Sequence, residues 1–298
     1  MSTPRMICDV KESERLLYHY TSLSRARDLI LPTGKLRMGR YSGTNDPKES
    51  KAWEFDLGTN QNRDLGAYRG REVSNRLSAT LKDRCRVLCF SMDTGPLTGN
   101  YPHEILQRGF AYPRMWAQYG EKHTGVCLVF DKAMLEAKMK AIAERATHAF
   151  GGKVTYRDRS VIGRLDEGDY IINIDYLETH GFDAYWNQHL EQFHRRLFFE
   201  KLQDWKDERE FRYVLFVEPE DDVYVEFGDA LVGVVFGDAV DEKLSDEVVE
   251  LLLPTKVEMT GLRWKNCAPW YDFGNFKYDR QLRKSPWFKK KPDTPPSP

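Results

Sequence analysis

The sequence has none of the long apolar segments that would cross a lipid bilayer. No apolar run approaches the roughly 20 residues that a membrane-spanning helix needs. The opening residues, MSTPRMICDVKESERLLYHY, also lack the apolar central region of a secretory signal peptide. The sequence therefore predicts a cytoplasmic protein that does not act in a membrane.

Charge of one sign is not in excess either. The chain has 45 Lys and Arg residues against 46 Asp and Glu residues, which gives a formal net charge of −1. A chain balanced in this way has no overall attraction to nucleic acid or to an anionic membrane. Binding to a polyanion would therefore require a local cluster of positive charge.

Cysteine is too scarce and too scattered for a disulfide framework. The five residues are Cys8, Cys85, Cys89, Cys127 and Cys267, an odd number without regular spacing. Cys85 and Cys89 have no second Cys or His pair at the spacing of zinc ligands, so we expect no metal. Cys89 and Cys127 lie in the apolar runs VLCF and GVCLVF, which predicts buried thiols.

Familiar catalytic motifs are missing as well. The sequence contains no glycine-rich phosphate loop, no G-x-S-x-G nucleophile elbow and no paired-histidine zinc motif. A Cys–His nucleophile pair stays open as an alternative, although no spacing marks one. The remaining candidates are polar residues in loops and at the ends of strands.

What the sequence does contain is typical of a globular protein. Of 298 residues, 41% are hydrophobic, 31% are charged and 13% are aromatic. A chain of this length can bury a large core in one large domain or in two small ones. No internal repeat stands out.

Strand-like and helix-like runs follow one another irregularly along the chain. The clearest predicted strands are RLLYHYTS, RCRVLCFSM, TGVCLVFD and EFRYVLFVE, and the clearest predicted helices are PRMWAQYGEKH, KAMLEAKMKAIAERATHAF, residues 169–201 and DEKLSDEVVELLLP. Residues 53–84 read as loosely helical, and the Gly151–Gly152 pair is expected to end the second helix. The pattern predicts an α+β fold with a mixed sheet and flanking helices.

The C-terminal part of the chain differs in composition from the rest. We predict one domain over residues 1–260, a basic aromatic segment over 261–291 and a disordered proline-rich tail over 292–298. Between Gly261 and Lys291 there are nine Lys or Arg residues and two Asp residues, interleaved with Trp264, Trp270, Tyr271, Phe276, Tyr278, Trp287 and Phe288. This segment is either a solvated tail anchored by its aromatic rings or an arm that holds a polyanion.

The stretch WKDEREFRYVLF combines charged residues with a strongly β-forming run. Alternate residues of a strand point to the same side, so Glu208, Glu210 and Arg212 share one face with Val214 and Phe216. That face begins charged and becomes apolar. We therefore expect these charges where a buried sheet face opens to solvent, at the mouth of a cleft.

Other polar residues have an ordinary structural interpretation beside a functional one. His19 lies within a strand, where a buried structural histidine is the more common case. Asn45 and Asp46 precede a proline, and this combination of residues predicts a turn. Trp116 and Tyr119 are three residues apart on a predicted helix, a spacing that usually indicates core packing. Ser91 ends the predicted central strand.

Taken in order, YHYTS, GKLRMGRYSGTNDPKE, VLCFSM, MWAQYGEKHTGVCLVFD and WKDEREFRYV resemble a bacterial family of unknown function. Its members have a histidine-bearing first strand, an N-D-P loop, a C-F-S strand, an M-W-x-x-Y helix and an E-x-E-x-R strand. Some are found beside phage-defence genes. The resemblance covers roughly residues 15–240, and the segment after Gly261 falls outside it.

That family is in turn distantly similar to the ADP-ribosyltransferase fold, which implies a mostly antiparallel split sheet and NAD as a substrate. The resemblance implies that His19 binds the NAD ribose and that Glu210 is the catalytic glutamate, with Glu208 as its neighbour. It implies Tyr41 as the ring that stacks on nicotinamide and Ser91 as the central-strand serine. The remaining candidates for contact with NAD are Tyr20, Arg37, Asn45, Asp46, Trp116 and Tyr119.

These residue types suit that reaction. Breaking the nicotinamide–ribose bond builds positive charge on the ribose, which a carboxylate stabilises, and a second carboxylate can orient or deprotonate an acceptor. The leading interpretation is an NAD-dependent transferase that modifies nucleic acid or protein, as a toxin or phage-defence effector with an inhibitory antitoxin partner. An NAD hydrolase and a non-catalytic module that binds nucleic acid or protein are the alternatives.

Overall fold

A computed structural model describes residues 6–66, 68–160, 167–271 and Tyr278. Its helices are α1 (Met6–Asp9), α2 (Leu23–Arg25), α3 (Leu31–Thr33), α4 (Pro47–Ser50), α5 (Gly70–Asp83), α6 (Tyr101–Glu104), α7 (Pro113–Gln118), α8 (Lys132–Ala143), α9 (Ile174–Phe198) and α10 (Glu242–Leu252). None of these described helices combines the length and the apolar character needed to cross a membrane.

The strands of the described residues are β1 (Leu16–Thr21), β2 (Lys35–Arg37), β3 (Gly39–Arg40), β4 (Asp56–Gly58), β5 (Cys85–Met92), β6 (Val126–Asp131), β7 (His148–Lys153), β8 (Thr155–Tyr156), β9 (Ile171–Asn173), β10 (Glu200–Lys201), β11 (Glu210–Phe216), β12 (Tyr224–Glu226), β13 (Leu231–Phe236), β14 (Glu258–Lys265) and β15 (Ala268–Tyr271). Most pairings are antiparallel, whereas β13–β14, β4–β9 and β8–β10 are parallel. The predicted α+β class with a mixed sheet is therefore confirmed.

The described chain forms two compact units. Unit 1 contains residues 6–36, 90–139 and 226–271 with Tyr278, and unit 2 contains residues 37–66, 68–89, 140–160 and 167–225. The boundary that we expected at residue 261 falls inside β14, which belongs to unit 1. Phe276, Trp287, Phe288 and the proline-rich tail at 292–298 lie outside the described residues.

In unit 1, a sheet with the order β15–β14–β13–β6–β1 continues to the last residues of β5. Strand β1 pairs along its whole length with β6, and both strands are rich in β-forming residues. Helix α10 connects β13 to the parallel strand β14, and the Asp241 side chain caps its first turn by accepting a hydrogen bond from the Leu244 amide at 2.8 Å. Its buried residues include Val248, Val249 and Leu252.

In unit 2, β11 pairs with β7, and β3 pairs with the first part of β5. An aromatic-rich core fills the unit, with Tyr41, Trp53, Phe198 and Phe216 among its buried members. Helix α9 is interrupted at Gly181, whose φ of 79° is in the region that glycine adopts at low cost. The prediction of a helix over residues 169–201 is confirmed for Ile174–Phe198, while β9 and β10 occupy its two ends.

Two local predictions were wrong in unit 2. Gly151 and Gly152 do not end a helix, since they lie inside β7, opposite Tyr213 and Arg212. A Cβ on Gly152 would come within 2.5 Å of Nη1 of Arg195, the end of a flexible side chain that can move aside. The loosely helical reading of residues 53–84 holds for α5 alone, and β4 precedes it.

Candidate functional site

Glu210 and Arg212 form a buried two-pronged ion pair at the beginning of β11. The guanidinium Nε and Nη2 of Arg212 donate to the two carboxylate oxygens of Glu210 at 2.6 and 2.7 Å. The residues are 4% and 1% exposed, respectively. The expectation that these charges lie where the sheet face opens to solvent was therefore wrong, because every residue of β11 is buried.

Lys201, at the end of β10, forms ion pairs with both Glu208 and Glu210. Its Nζ lies 2.8 Å from a carboxylate oxygen of Glu208 and 2.8 Å from one of Glu210. Glu208 is buried but belongs to the 3₁₀ turn Gln203–Glu208, and Arg209 follows it with a left-handed φ of 48°. The prediction that Glu208 shares a strand face with Glu210 was wrong, since the chain turns between them.

A third carboxylate comes from the N-D-P loop. Asp46 caps the short helix α4, where its Oδ1 accepts a hydrogen bond from the Lys48 amide at 2.9 Å and Pro47 occupies the first helical position. The same helix carries Glu49, whose Oε1 lies 2.7 Å from Nη1 of Arg212. The turn at Asp46 thus places the buried carboxylate of Glu49 beside Arg212 of β11.

We define the charge cluster as Glu49, Lys201, Glu208, Glu210 and Arg212. All five side chains belong to unit 2 and are buried. The cluster holds three carboxylates and two cations, so its formal charge is negative by one. One carboxylate oxygen of Glu49, Oε2, has no hydrogen-bond partner among the described residues.

The charges in the cluster control one another's ionisation. Burial would raise the pKa of Glu210, but the charges of Arg212 and Lys201 outweigh it and hold that pKa well below the usual range of a glutamate. Burial opposes the charge of Lys201 too, yet Glu210 and Glu49 raise the pKa of the lysine above its ordinary value. Glu210 is therefore an ionised carboxylate despite being out of water.

Two further side chains contact Glu210. The phenol oxygen of Tyr156 accepts a hydrogen bond from the Glu210 amide at 2.8 Å, and the Cys89 thiol donates a hydrogen bond to the Glu210 carboxylate. Cys89 is half-buried rather than buried, so this part of the prediction for the cysteines was wrong. All five cysteines are free thiols.

Lys82 holds helix α4 in place. Its ammonium group donates to the backbone carbonyls of Lys48 at 3.0 Å, of Glu49 at 2.7 Å and of Lys51, which satisfies the carbonyl end of the short helix. It also lies 4.3 Å from the centre of the Trp53 ring. Burial lowers the pKa of Lys82 to about 8.

Unit 1 separates two of the predicted site residues. Ser91 is paired with Tyr18 across the β5–β1 ladder, so both side chains point to the same face of the sheet. His19, the next residue along β1, points to the opposite face, where its ring lies 5.7 Å from that of Phe90. His19 is half-buried, whereas Ser91 is 1% exposed. The structure therefore does not bring the two side chains together.

The aromatic candidates of unit 1 belong mainly to its core. Tyr20 and Trp116 pack edge to face at 5.1 Å, and each donates a hydrogen bond to a backbone carbonyl, Tyr20 to Gly109 and Trp116 to Phe110. Tyr119 is half-buried and packs against the same core. Trp116 on α7 and Tyr119, the residue that follows the helix, thus have the packing role that their spacing usually indicates.

The remaining candidates lie in unit 2. Tyr41 is fully buried, its hydroxyl donates to the Leu197 carbonyl at 3.2 Å and its ring lies 4.9 Å from that of Phe198. A nicotinamide therefore has no exposed face of this ring to stack on. Arg37 is exposed and forms an ion pair with Asp222 at 2.8 Å, and Asn45 is exposed in the loop before α4.

Sequence reasoning missed Glu49, Lys201 and Lys82. A signal existed for Glu49, since a glutamate three residues after an N-cap aspartate is the pattern of a helix start. No pattern in the sequence marked the two lysines. Among the described residues, no group of three or more His, Cys, Asp or Glu side chains is arranged to hold a metal ion.

The fold and the site together define an α+β protein with a buried charge cluster on a late strand. Residues 115–213 match the family described as "Protein of unknown function (DUF2971)". The matched range covers about a third of the chain and includes the M-W-x-x-Y helix and the E-x-E-x-R strand. No curated protein matches the chain.

Among solved structures, the chain is similar to Thermus sp. 2.9 DarT in complex with ADP-ribosylated ssDNA. The sequences are 10% identical, the TM-score is 0.30, and the alignment covers 82% of this chain and 91% of that chain.

Proposed function

We propose that the chain is an enzyme of the ADP-ribosyltransferase kind, which cleaves the nicotinamide–ribose bond of NAD beside Glu210. The observation that supports this proposal most directly is the charge imbalance of the cluster, three buried carboxylates against two buried cations. The ribose gains positive charge as the bond breaks. That charge would balance the cluster in the transition state but not in the ground state, which is the condition for catalysis.

The two acidic residues have separate roles in this proposal. Glu210 is ionised and held by Arg212, so its carboxylate is preorganised to face the developing charge without reorganising. Glu208 reaches the cluster through Lys201 and is the candidate that orients or deprotonates an acceptor. If water rather than a macromolecule is the acceptor, the same carboxylates serve an NAD hydrolase.

Contacts with NAD are assigned first to the candidates that a ligand can reach. These are Arg37 and Asn45, which are exposed and belong to the same unit as Glu210. The assignment of His19, which is half-buried in unit 1, to the NAD ribose stays a prediction. Arg37 has the donors that a pyrophosphate needs. Tyr41 and Trp116 are weaker candidates for contact with NAD, because their rings are fully buried in cores.

One observation favours a second candidate function, a non-catalytic binding module. Both oxygens of the Glu210 carboxylate are already engaged by Arg212, and one of them also by Lys201. A saturated buried ion network of this kind can serve structure alone. The proposed role as a toxin or phage-defence effector with an antitoxin partner applies to the transferase and not to the binding module.

Turnover of NAD labelled in its adenylate phosphate, in the presence of cell lysate, tests the proposal. Label on a macromolecule indicates the transferase, and label released as free ADP-ribose indicates the hydrolase. We expect Glu210→Gln to lower either signal at least about 100-fold, the typical cost of losing a preorganised charge. If the unmodified chain consumes no NAD, the enzyme proposal is wrong and the non-catalytic binding module remains as the function.

Loss of a buried ion pair can also inactivate an enzyme by destabilising it, so a matched control is needed. Glu200 is 7% exposed and lies 2.6 Å from Arg159 in the same unit, outside the charge cluster. Glu200→Gln should reduce stability by a similar amount and leave turnover of the folded protein intact. Equal loss of activity in the two variants at equal folded concentration would contradict the assignment of Glu210.

A further inference from the structure

Strands β14 and β15 form a hairpin at the edge of the unit 1 sheet, with two faces of different character. The cross-strand pairs Leu262–Tyr271 and Trp264–Pro269 point inward, where Leu262, Tyr271 and Pro269 are buried and Trp264 is half-buried. The connecting residues Asn266 and Cys267 both have positive φ, as a tight two-residue hairpin turn requires.

The outward face of the hairpin is basic and aromatic. Arg263 lies directly opposite Trp270, and Lys265 lies opposite Ala268. All four residues are exposed, and Trp270 keeps 43% of its surface in solvent. The Lys265 ammonium lies 5.4 Å from the centre of the Trp270 ring, so one indole has two cations beside it. We call Arg263, Lys265 and Trp270 the hairpin face.

The surrounding sequence keeps the same sign of charge. Residues 272–291 contain seven Lys or Arg residues and two Asp residues. The partner that complements this surface is an anion that also offers flat rings.

We propose that the hairpin face binds single-stranded nucleic acid, with a base stacked on Trp270 and phosphates held by Arg263 and Lys265. A protruding indole between cations suits an unstacked base, since base–aromatic stacking and phosphate contacts together are the usual mode for single strands. In a duplex the bases are stacked on one another and would not reach the ring. An acidic protein would use the two cations but would have no need of the ring.

This inference goes beyond the proposed enzymatic function and does not require it. If that function holds, the hairpin face also identifies the acceptor class as single-stranded nucleic acid. Binding is measured without NAD, so a failure of the hairpin face and a failure of the transferase proposal give separate results.

Fluorescence anisotropy of the full chain with labelled single-stranded DNA and RNA of mixed sequence, and with the matching duplex, tests the proposal. We expect the single strands to bind more tightly than the duplex. Trp270→Ala should weaken single-strand binding about tenfold, whereas Trp270→Phe, which keeps a ring, should retain most of it. The control Tyr224→Ala removes another exposed ring, 48% in solvent, and should leave binding unchanged.

A salt titration tests the cations separately. The double variant Arg263→Gln/Lys265→Gln should reduce the slope of log affinity against log salt by about 1.4, the value for two phosphate contacts on a single strand. The control Lys11→Gln/Arg25→Gln removes the same charge from other exposed positions of unit 1 and should change the slope little. The proposal is overturned by an unmodified chain that binds no single strand, by preferred binding of the duplex, or by equal effects of the hairpin and control variants.

Discussion

Replacing Arg212 with methionine should destabilise unit 2 strongly, because this one side chain neutralises the densest part of the charge cluster. Its guanidinium makes two hydrogen bonds to Glu210, one to Glu49 at 2.7 Å and one to the Phe198 carbonyl at 2.9 Å. Without it, three buried carboxylates face Lys201 alone. Removing one partner of a buried ion pair costs about 3–5 kcal/mol, so we expect the free energy of unfolding to fall by about 4 kcal/mol.

The pH dependence of this loss follows from the direction of the pKa shift. In the unmodified protein the pKa of Glu210 is held below its unfolded value, so its contribution to stability is present at neutral pH and lost as the pH falls. Without Arg212 the buried carboxylate prefers to be protonated, and its pKa rises. The penalty of the Arg212→Met variant should therefore shrink as the pH falls from about 7 to about 4.

Urea unfolding of four proteins measures the effect: the unmodified chain, Arg212→Met, Glu210→Gln and the double variant. We expect the double variant to be more stable than the sum of the single losses predicts, with a coupling free energy of at least about 1.5 kcal/mol. The exposed Arg71→Met, on α5, is the matched control and should change stability by less than about 0.5 kcal/mol. A loss below about 1 kcal/mol for Arg212→Met, or additive losses in the cycle, would refute the reasoning.

Two other perturbations test the units separately. Burial raises the pKa of Asp93 in unit 1 from 3.8 to about 6, and a raised carboxyl pKa means that stability falls as the pH rises through that interval. Asp93→Asn should therefore remove about 3 kcal/mol of pH-dependent destabilisation between pH 4 and 6, and a pH profile parallel to that of the unmodified chain would contradict this. In unit 2, Lys82→Met removes a hydrogen-bond donor from three backbone carbonyls at the end of α4, of which the Lys48 carbonyl keeps its bond from the Trp53 indole at 2.7 Å. The variant should lower the free energy of unfolding by about 2 kcal/mol or more. Lys51→Met, at an exposed lysine nearby, is the control, and equal urea midpoints for the two variants would show that the Lys82 contacts contribute nothing.

Elements with a strong local signal were predictable. Strands β5 and β6 are continuous runs of β-forming residues, and Pro113 begins α7 at the position where proline is tolerated best. The Gly151–Gly152 error has the opposite cause. Two glycines predict a helix end, but here they lie in β7 and pair with Tyr213 and Arg212 of β11, neighbours that the local sequence does not reveal.

The sequence by itself determined the α+β class, the strand that carries Glu210 and Arg212, and the turn that begins at Asp46, because each depends on neighbouring residues. Tertiary structure alone decided which charges meet. Arg212 binds Glu49, 163 residues away in sequence, and His19 and Ser91 point to opposite faces of their sheet. Periodicity describes which side of an element a residue occupies, whereas ion pairs between distant segments depend on how the elements pack.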